Sequence, residues 1–167
     1  GINRKLGVDE NRIKILFVCH GNICRSPMAE FVFKDMVRRR GLENQFYIAS
    51  AATSTEEIGN PVHPGTRRKL REVGISCEGK YAVQMKKSDY EKYDYLIGMD
   101  EWNRRNMMRI VKKDPQKKLF LLLDFSDSPR DIADPWYTGN FEVTYRDIVE
   151  GCEAFLKYLK TNGTIDF

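Results

Sequence analysis

Apolar and polar positions alternate in blocks along this chain, and the repeat switches between that of a strand and that of a helix. Residues 13–18 read Ile-Lys-Ile-Leu-Phe-Val, an apolar run of strand length. Met28, Phe31, Val32, Met36 and Val37 then recur at helical spacing and predict a helix over residues 28–40. Residues 46–49 predict a second strand, followed by a turn-rich stretch over 50–65. A helix over 66–73 is expected to close at Gly74, a residue suited to a helix C-terminus. Ser88 and Asp89 open a short helix or turn, 93–99 reads as a strand, 101–111 as a helix and 119–123 as a strand. The last helix, 141–159, carries Val143, Ile148, Cys152, Phe155, Leu156 and Leu159.

Strands alternating with helices predict an α/β domain, with a parallel sheet covered on both faces and right-handed crossovers. The expected architecture is a single three-layer domain of the flavodoxin or Rossmann-like kind. A length of 167 residues suits one domain. Residues 1–11 are polar and expected to be flexible, leaving 12–167 as the domain. Ligands in such sheets bind beyond the carboxyl ends of the strands. Cys19 lies there after the first strand and Asp100 after the third, while the polar loop 126–140 follows the fourth.

The segment Cys19-His20-Gly21-Asn22-Ile23-Cys24-Arg25-Ser26-Pro27 joins the first strand to the first helix. Ser26 reads as its N-cap and Pro27 as its first helical residue. A loop so placed aims backbone N–H groups and a helix N-terminus at one anion. His20, Gly21, Asn22, Ile23, Cys24 and Ser26 form the expected phosphate cradle. Gly21 permits a sharp turn, and Asn22 tolerates the left-handed conformation such loops use.

Cys19 is the expected nucleophile, because a helix N-terminus and a nearby cation lower a thiol's pKa. Arg25 suits the clamp role, since its planar fork binds two phosphoryl oxygens at once. Ser26 has a second expected role, donating a hydrogen bond to the Cys19 sulfur as that sulfur becomes a leaving group. A leaving phenoxide needs a proton, and Asp134 in Ala133-Asp134-Pro135-Trp136-Tyr137-Thr138-Gly139 is the expected source. Pro135 holds Asp134 extended, and Trp136 and Tyr137 supply apolar walls. Cys24 reads either as a redox guard pairing with Cys19 or as a small packed side chain. Cys77 and Cys152 read as core residues, and His63 as an exposed loop residue.

Charge changes this picture little. Charged residues make up 31% of the chain and the formal charge is +4, which favours anionic substrates. The basic runs at 38–40 and 112–113 are too short for a nucleic-acid stripe. No stretch approaches the roughly 18 apolar residues of a membrane span. Four cysteines without a second close pair fit neither a disulfide framework nor a zinc site, so a cytoplasmic protein without structural zinc is expected.

The chain resembles the low-molecular-weight protein tyrosine phosphatase family from about residue 13 to 159. The resemblance rests on the loop through Met28-Ala29-Glu30, on Ser50-Ala51-Ala52-Thr53, on Met99-Asp100-Glu101-x-Asn103, and on Asp134-Pro135-Trp136-Tyr137. It implies a four-stranded parallel sheet, no metal or cofactor, and hydrolysis of phosphotyrosine through a cysteinyl-phosphate intermediate. Cys19, Arg25 and Asp134 are the implied catalytic residues. Asn22, Ser50, Asp100 and Asn103 support the loop, and Ile23, Glu56, Trp136 and Tyr137 line the substrate crevice. The implied partner is a phosphotyrosine-containing protein or peptide, with a monomer or weak homodimer as the acting form.

Three departures stand out. Ser54-Thr55-Glu56-Glu57 stands where many relatives carry an aromatic crevice residue. Gly79-Lys80-Tyr81-Ala82-Val83 replaces a His-x-Ala-Arg-like stretch. Ile23 stands where related phosphoarginine phosphatases tend to carry Thr, which favours phosphotyrosine. Two rivals share some of these features: a thiol-dependent arsenate reductase, for which no paired cysteines follow Met99, and a phosphopeptide-binding module without turnover.

Overall fold

The computed structural model describes residues 11–165. Of the N-terminal segment expected to be flexible, residues 1–10 lie outside the described residues. The sheet has four parallel strands in the order β2-β1-β3-β4. Strand β1 (Ile13–Cys19) pairs with β2 (Phe46–Ala52) on one side and β3 (Tyr95–Gly98) on the other, and β4 (Leu119–Leu121) lies beyond β3.

Burial of β1 on both faces from Ile15 onward explains the apolar run after Lys14. Ile13, Ile15, Phe17 and Cys19 point to one layer, which includes residues of helices α1 (Arg25–Arg39) and α6 (Phe141–Thr161). Phe33 of α1 centres that layer, with ring centroids 5.9 Å from Phe17, 5.5 Å from Phe46 and 5.4 Å from Phe155. Leu16 and Val18 point the other way, toward Tyr90 of α3 (Asp89–Lys92) and Met107 and Val111 of α4 (Glu101–Val111). Helix α2 (Pro64–Glu72) packs beside α1 and α6.

Because the chain winds outward from β1 in both directions, the connections leaving β1 and β3 diverge at their carboxyl ends. That divergence opens a crevice between them.

Several boundaries differ from the sequence pattern for local reasons. The apolar run 119–123 is not all strand: Asp124 Oδ2 accepts from the Leu121 amide at 2.9 Å, and Leu122–Phe125 turns into a 3₁₀ helix. Helix α2 starts at Pro64 because His63 caps it, Nδ1 accepting from the Gly65 amide at 3.0 Å. Residues 135–138 form a single turn, α5 (Pro135–Thr138), within the loop expected to be irregular. Gly151 lets α6 lie against Leu122, where an added Cβ would stand 2.5 Å from Leu122 Cγ. Among the described residues no helix is long and apolar enough to cross a membrane.

Candidate active site

The loop after β1 wraps around the Cys19 side chain. The amides of Asn22 and Ser26 both donate to Cys19 Sγ, at 3.3 and 3.4 Å, and Ser26 Oγ lies 3.0 Å from it. Asn22 makes this curl possible with φ of 59°. Gly21 does not take a left-handed conformation. A Cβ there would come within 3.3 Å of Glu57 Cγ, so close approach is what the position demands.

The expectation that Ser26 caps α1 is corrected. The helix begins at Arg25, Cys24 occupies the cap position without a side-chain hydrogen bond, and Pro27 is the third helical residue. Ser26 is fully buried with its hydroxyl inside the loop, and its amide points at sulfur. The thiol takes the place of a capping oxygen, which no helix-start pattern in sequence reveals.

Asn22 ties the loop to its surroundings. Its Nδ2 donates to Ser26 Oγ at 2.8 Å and to Ser50 Oγ at 2.9 Å, and its Oδ1 accepts from the Val83 amide at 3.1 Å. The Cys19 and His20 carbonyls accept from the Thr53 and Ser54 amides at 2.9 and 3.0 Å, stitching the segment after β2 to the same loop.

Arg25 is 2% exposed, yet its charge is well compensated. Nη1 donates to Asp100 Oδ2 at 2.7 Å and to the Ile132 carbonyl at 2.8 Å, and Nη2 lies 3.5 Å from Asp134 Oδ2. Burial works against the guanidinium's proton, but Cys19, Asp100 and Asp134 outweigh it and raise its pKa above the usual value. Asp100 is itself fixed as the N-cap of α4, accepting from the Asn103 amide at 2.7 Å. Asn103 Oδ1 in turn accepts from the Met99 amide at 2.9 Å. The four residues expected to support the loop therefore sit in two groups, Asn22 with Ser50 and Asp100 with Asn103.

Asp134 caps α5, with Oδ1 accepting from the Trp136 amide at 3.0 Å while Oδ2 faces Arg25. Its backbone is extended, as the following proline requires. Asp134 shares a crevice of about 100 Å³ with Cys19, His20, Gly21, Ile23, Cys24, Glu56, Glu57, Trp136 and Tyr137. One wall is aromatic, through the exposed Trp136 and Tyr137. Glu56 and Glu57 make the lining acidic as well, and His20 Nε2 lies 2.7 Å from Glu56 Oε2.

Larger depressions, of about 490 and 600 Å³, lie beside β2 and α2. Neither contains Cys19, Arg25 or Asp134, so chemistry rather than volume locates the site.

His63 is not the exposed loop residue that its Pro-Val-His-Pro setting suggested. Besides capping α2, its ring stacks on Phe141 at 5.3 Å and meets Trp136 edge-on at 5.7 Å, backing the aromatic wall. A side-chain acceptor just before a helix-starting proline was the available signal. Gly65 makes room for Phe141, whose ring lies 2.3 Å from where a Cβ would be.

Cys24 is buried, and that burial first, then Cys19 and Asp134, pushes its thiol up to about 12. It is therefore a neutral thiol near pH 7. Cys77 and Cys152 are buried, in keeping with core roles. Among the described residues no group of three or more His, Cys, Asp or Glu is placed to hold a metal ion.

A buried thiol receiving two amide hydrogen bonds, beside a guanidinium and a carboxyl group on a shared crevice, defines a cysteine-based phosphoryl-transfer site. Comparison with known proteins agrees. The profile of the family described as "Low molecular weight phosphotyrosine protein phosphatase" matches residues 14–164. The low molecular weight protein-tyrosine-phosphatase YfkJ of Bacillus subtilis is 42% identical over 146 residues, covering 86% of this chain and 94% of its own length. The low molecular weight phosphotyrosine protein phosphatase of Gallus gallus is 41% identical over 148 residues, with coverages of 86% and 93%. The crystal structure of YfkJ superposes with a TM-score of 0.87 at 40% identity, covering 93% of this chain and 99% of that one. The chain belongs to the low molecular weight protein tyrosine phosphatase family.

Proposed function

We propose that this protein hydrolyses phosphotyrosine in proteins or peptides, with Cys19 as nucleophile, Arg25 as phosphoryl clamp and Asp134 as general acid and then base. The observation that carries the reading is the convergence of amide and hydroxyl hydrogen bonds on Cys19 Sγ, next to a buried Arg25 that faces Asp134.

In the first step the Cys19 thiolate attacks phosphorus in line with the tyrosyl oxygen. The P–O bond breaks and Asp134 delivers its proton to the leaving phenolate. Charge spread over the equatorial oxygens meets the loop amides and the Arg25 fork. In the second step the Asp134 carboxylate takes a proton from water, the water oxygen attacks phosphorus, and the S–P bond breaks to return the thiolate. The hydrogen bonds aimed at sulfur favour that departure.

The apolar Ile23 and the Trp136–Tyr137 wall suit an aryl ester. A solved relative, the drosophila arginine phosphatase DARP, superposes with a TM-score of 0.82 at 29% identity, covering 89% of this chain and 98% of that one. Phosphoarginine is therefore the substrate to compare. Four free cysteines support a reducing, cytoplasmic setting for a thiol enzyme.

The test is phosphate release from a phosphotyrosine peptide by reduced wild type and Cys19→Ser, without added metal. Turnover by wild type alone is expected. Equal turnover by both proteins removes Cys19 from the chemistry, and preferential hydrolysis of a phosphoarginine peptide reassigns the substrate.

A further inference from the structure

The loop amides and Arg25 attract an anion, but the crevice that leads to them does not. Three carboxylates, Glu56, Glu57 and Asp134, line it, and among the described residues no Lys or Arg does. The site's own cation, Arg25, is 2% exposed and already faces Asp100 and Asp134. This acidic lining stands out in a chain whose formal charge is +4. A phosphate dianion entering it meets like charge, so the crevice disfavours a substrate whose only charges are those of the phosphate.

Glu56 and Glu57 have no part in the mechanism above, and each is held by one oxygen. An ionised carboxylate only accepts, so Glu56 Oε2 takes its hydrogen from His20 Nε2 at 2.7 Å. Glu57 Oε2 accepts from Asn60 Nδ2 at 2.6 Å, and its stem comes within 3.3 Å of where a Cβ on Gly21 would stand. The second oxygen of each has no hydrogen-bond partner among the described residues. The Glu56 side chain is 68% exposed, so a group outside the crevice can meet it. A crevice of about 100 Å³ holds no more than one side chain, which leaves the neighbouring residues of a peptide outside.

We infer that Glu56, with Glu57 beside it, is a specificity-determining residue that selects phosphotyrosine flanked by Lys or Arg. A flanking ammonium or guanidinium pairs with the carboxylate oxygen that the protein leaves unpaired, and so offsets the repulsion of the phosphate. An acidic flank adds to that repulsion. This inference rests on the reading of the crevice as a phosphotyrosine site.

Its test is the hydrolysis of three peptides that differ only in the residues on either side of phosphotyrosine, which are Lys, Gln or Glu. The expected order of kcat/KM is Lys, then Gln, then Glu. Exposed ion pairs support a step of about two- to fivefold each time. KM carries the steps and kcat changes little, since the flank lies away from the reacting bonds. The steps shrink as salt rises from about 0.02 to 0.5 M. Glu56→Gln compresses the order, and Glu56→Lys compresses it further. Phenyl phosphate has no flank, and its kcat/KM rises in Glu56→Gln by up to about fivefold, because a like charge is gone. A variant that only damaged the loop would lose rate there.

Steering by the net charge of the whole chain predicts the reverse order. Fastest hydrolysis of the Glu peptide therefore overturns the inference, as do equal rates for all three, or an order that Glu56→Gln leaves unchanged. Should Glu56→Gln fail to fold, the wild-type order and its salt dependence decide alone. Release of no phosphate from any peptide or from phenyl phosphate overturns the phosphatase reading itself. It is told apart from a failure of selection, which flattens or reverses the order while turnover persists.

Discussion

The residues proposed to do the chemistry were readable because their signal is local. Cys19 and Arg25 stand six apart in one loop, and Asp134 is announced by the proline and aromatics that follow it. What sequence hid was where each side chain spends its hydrogen bonds. Ser26 keeps only the second of its two expected roles, helix cap and partner of the sulfur, while His63 looked loose and instead backs Trp136. Both errors involve partners distant in sequence or a non-oxygen acceptor, neither of which a capping pattern registers. Asp134 yields the sharpest prediction at this scale. A positioned acid is worth about 10²–10⁴ in rate, so Asp134→Ala should lose about that factor with phosphotyrosine peptide. It should lose far less with an aryl phosphate whose phenol is strongly acidic, because that leaving group needs no proton. Initial rates across a series of aryl phosphates check this, and an equal loss for all of them places the acid elsewhere.

Elements with a strong period were legible in type, and α4 even in its ends. Strand β1 and helix α6 follow from apolar patterns that packing reinforces. The short helix at Asp89 was legible too, but the turn at Leu122–Phe125 and the start of α2 were not, since a few hydrogen bonds from Asp124 or His63 outweigh an apolar run or a propensity. Glycine positions also carried hidden information about close packing. Gly151→Ala would force α6 away from Leu122 and should cost about 1–3 kcal/mol, as overpacking does. Gly65→Ala meets the Phe141 ring and, by displacing it, should loosen the His63–Trp136 contact as well. Urea titrations of both variants check the stability loss. A rise in KM for phosphotyrosine peptide is expected only for Gly65→Ala, since only that glycine sits behind the crevice wall.

Across the whole molecule, a four-stranded sheet reversing its winding at β1 brings three distant segments to one edge: the loop at 19–25, the cap of α4 at Asp100, and the turn at Asp134. Topology predicted that edge, but not the polar network behind it, since Asn22, Ser50 and Val83 lie far apart in the chain. The same folding event buries Cys24, whose neutral form the fold prefers. A thiol raised from 9.0 to about 12 adds stability that is complete below pH 9 and lost as pH climbs toward 12. Wild type should therefore lose stability across that window more steeply than Cys24→Ser, as paired urea midpoints would show; parallel slopes would contradict the burial argument.

The most direct test of the central claim is to mix wild-type enzyme with phosphotyrosine peptide, quench in acid within the first turnover, and locate the phosphoryl group by peptide mass spectrometry. A phosphoryl group on Cys19 that disappears as free phosphate accumulates is the predicted result. Phosphate release with Cys19 unmodified throughout, or with the group on another residue, would contradict the account.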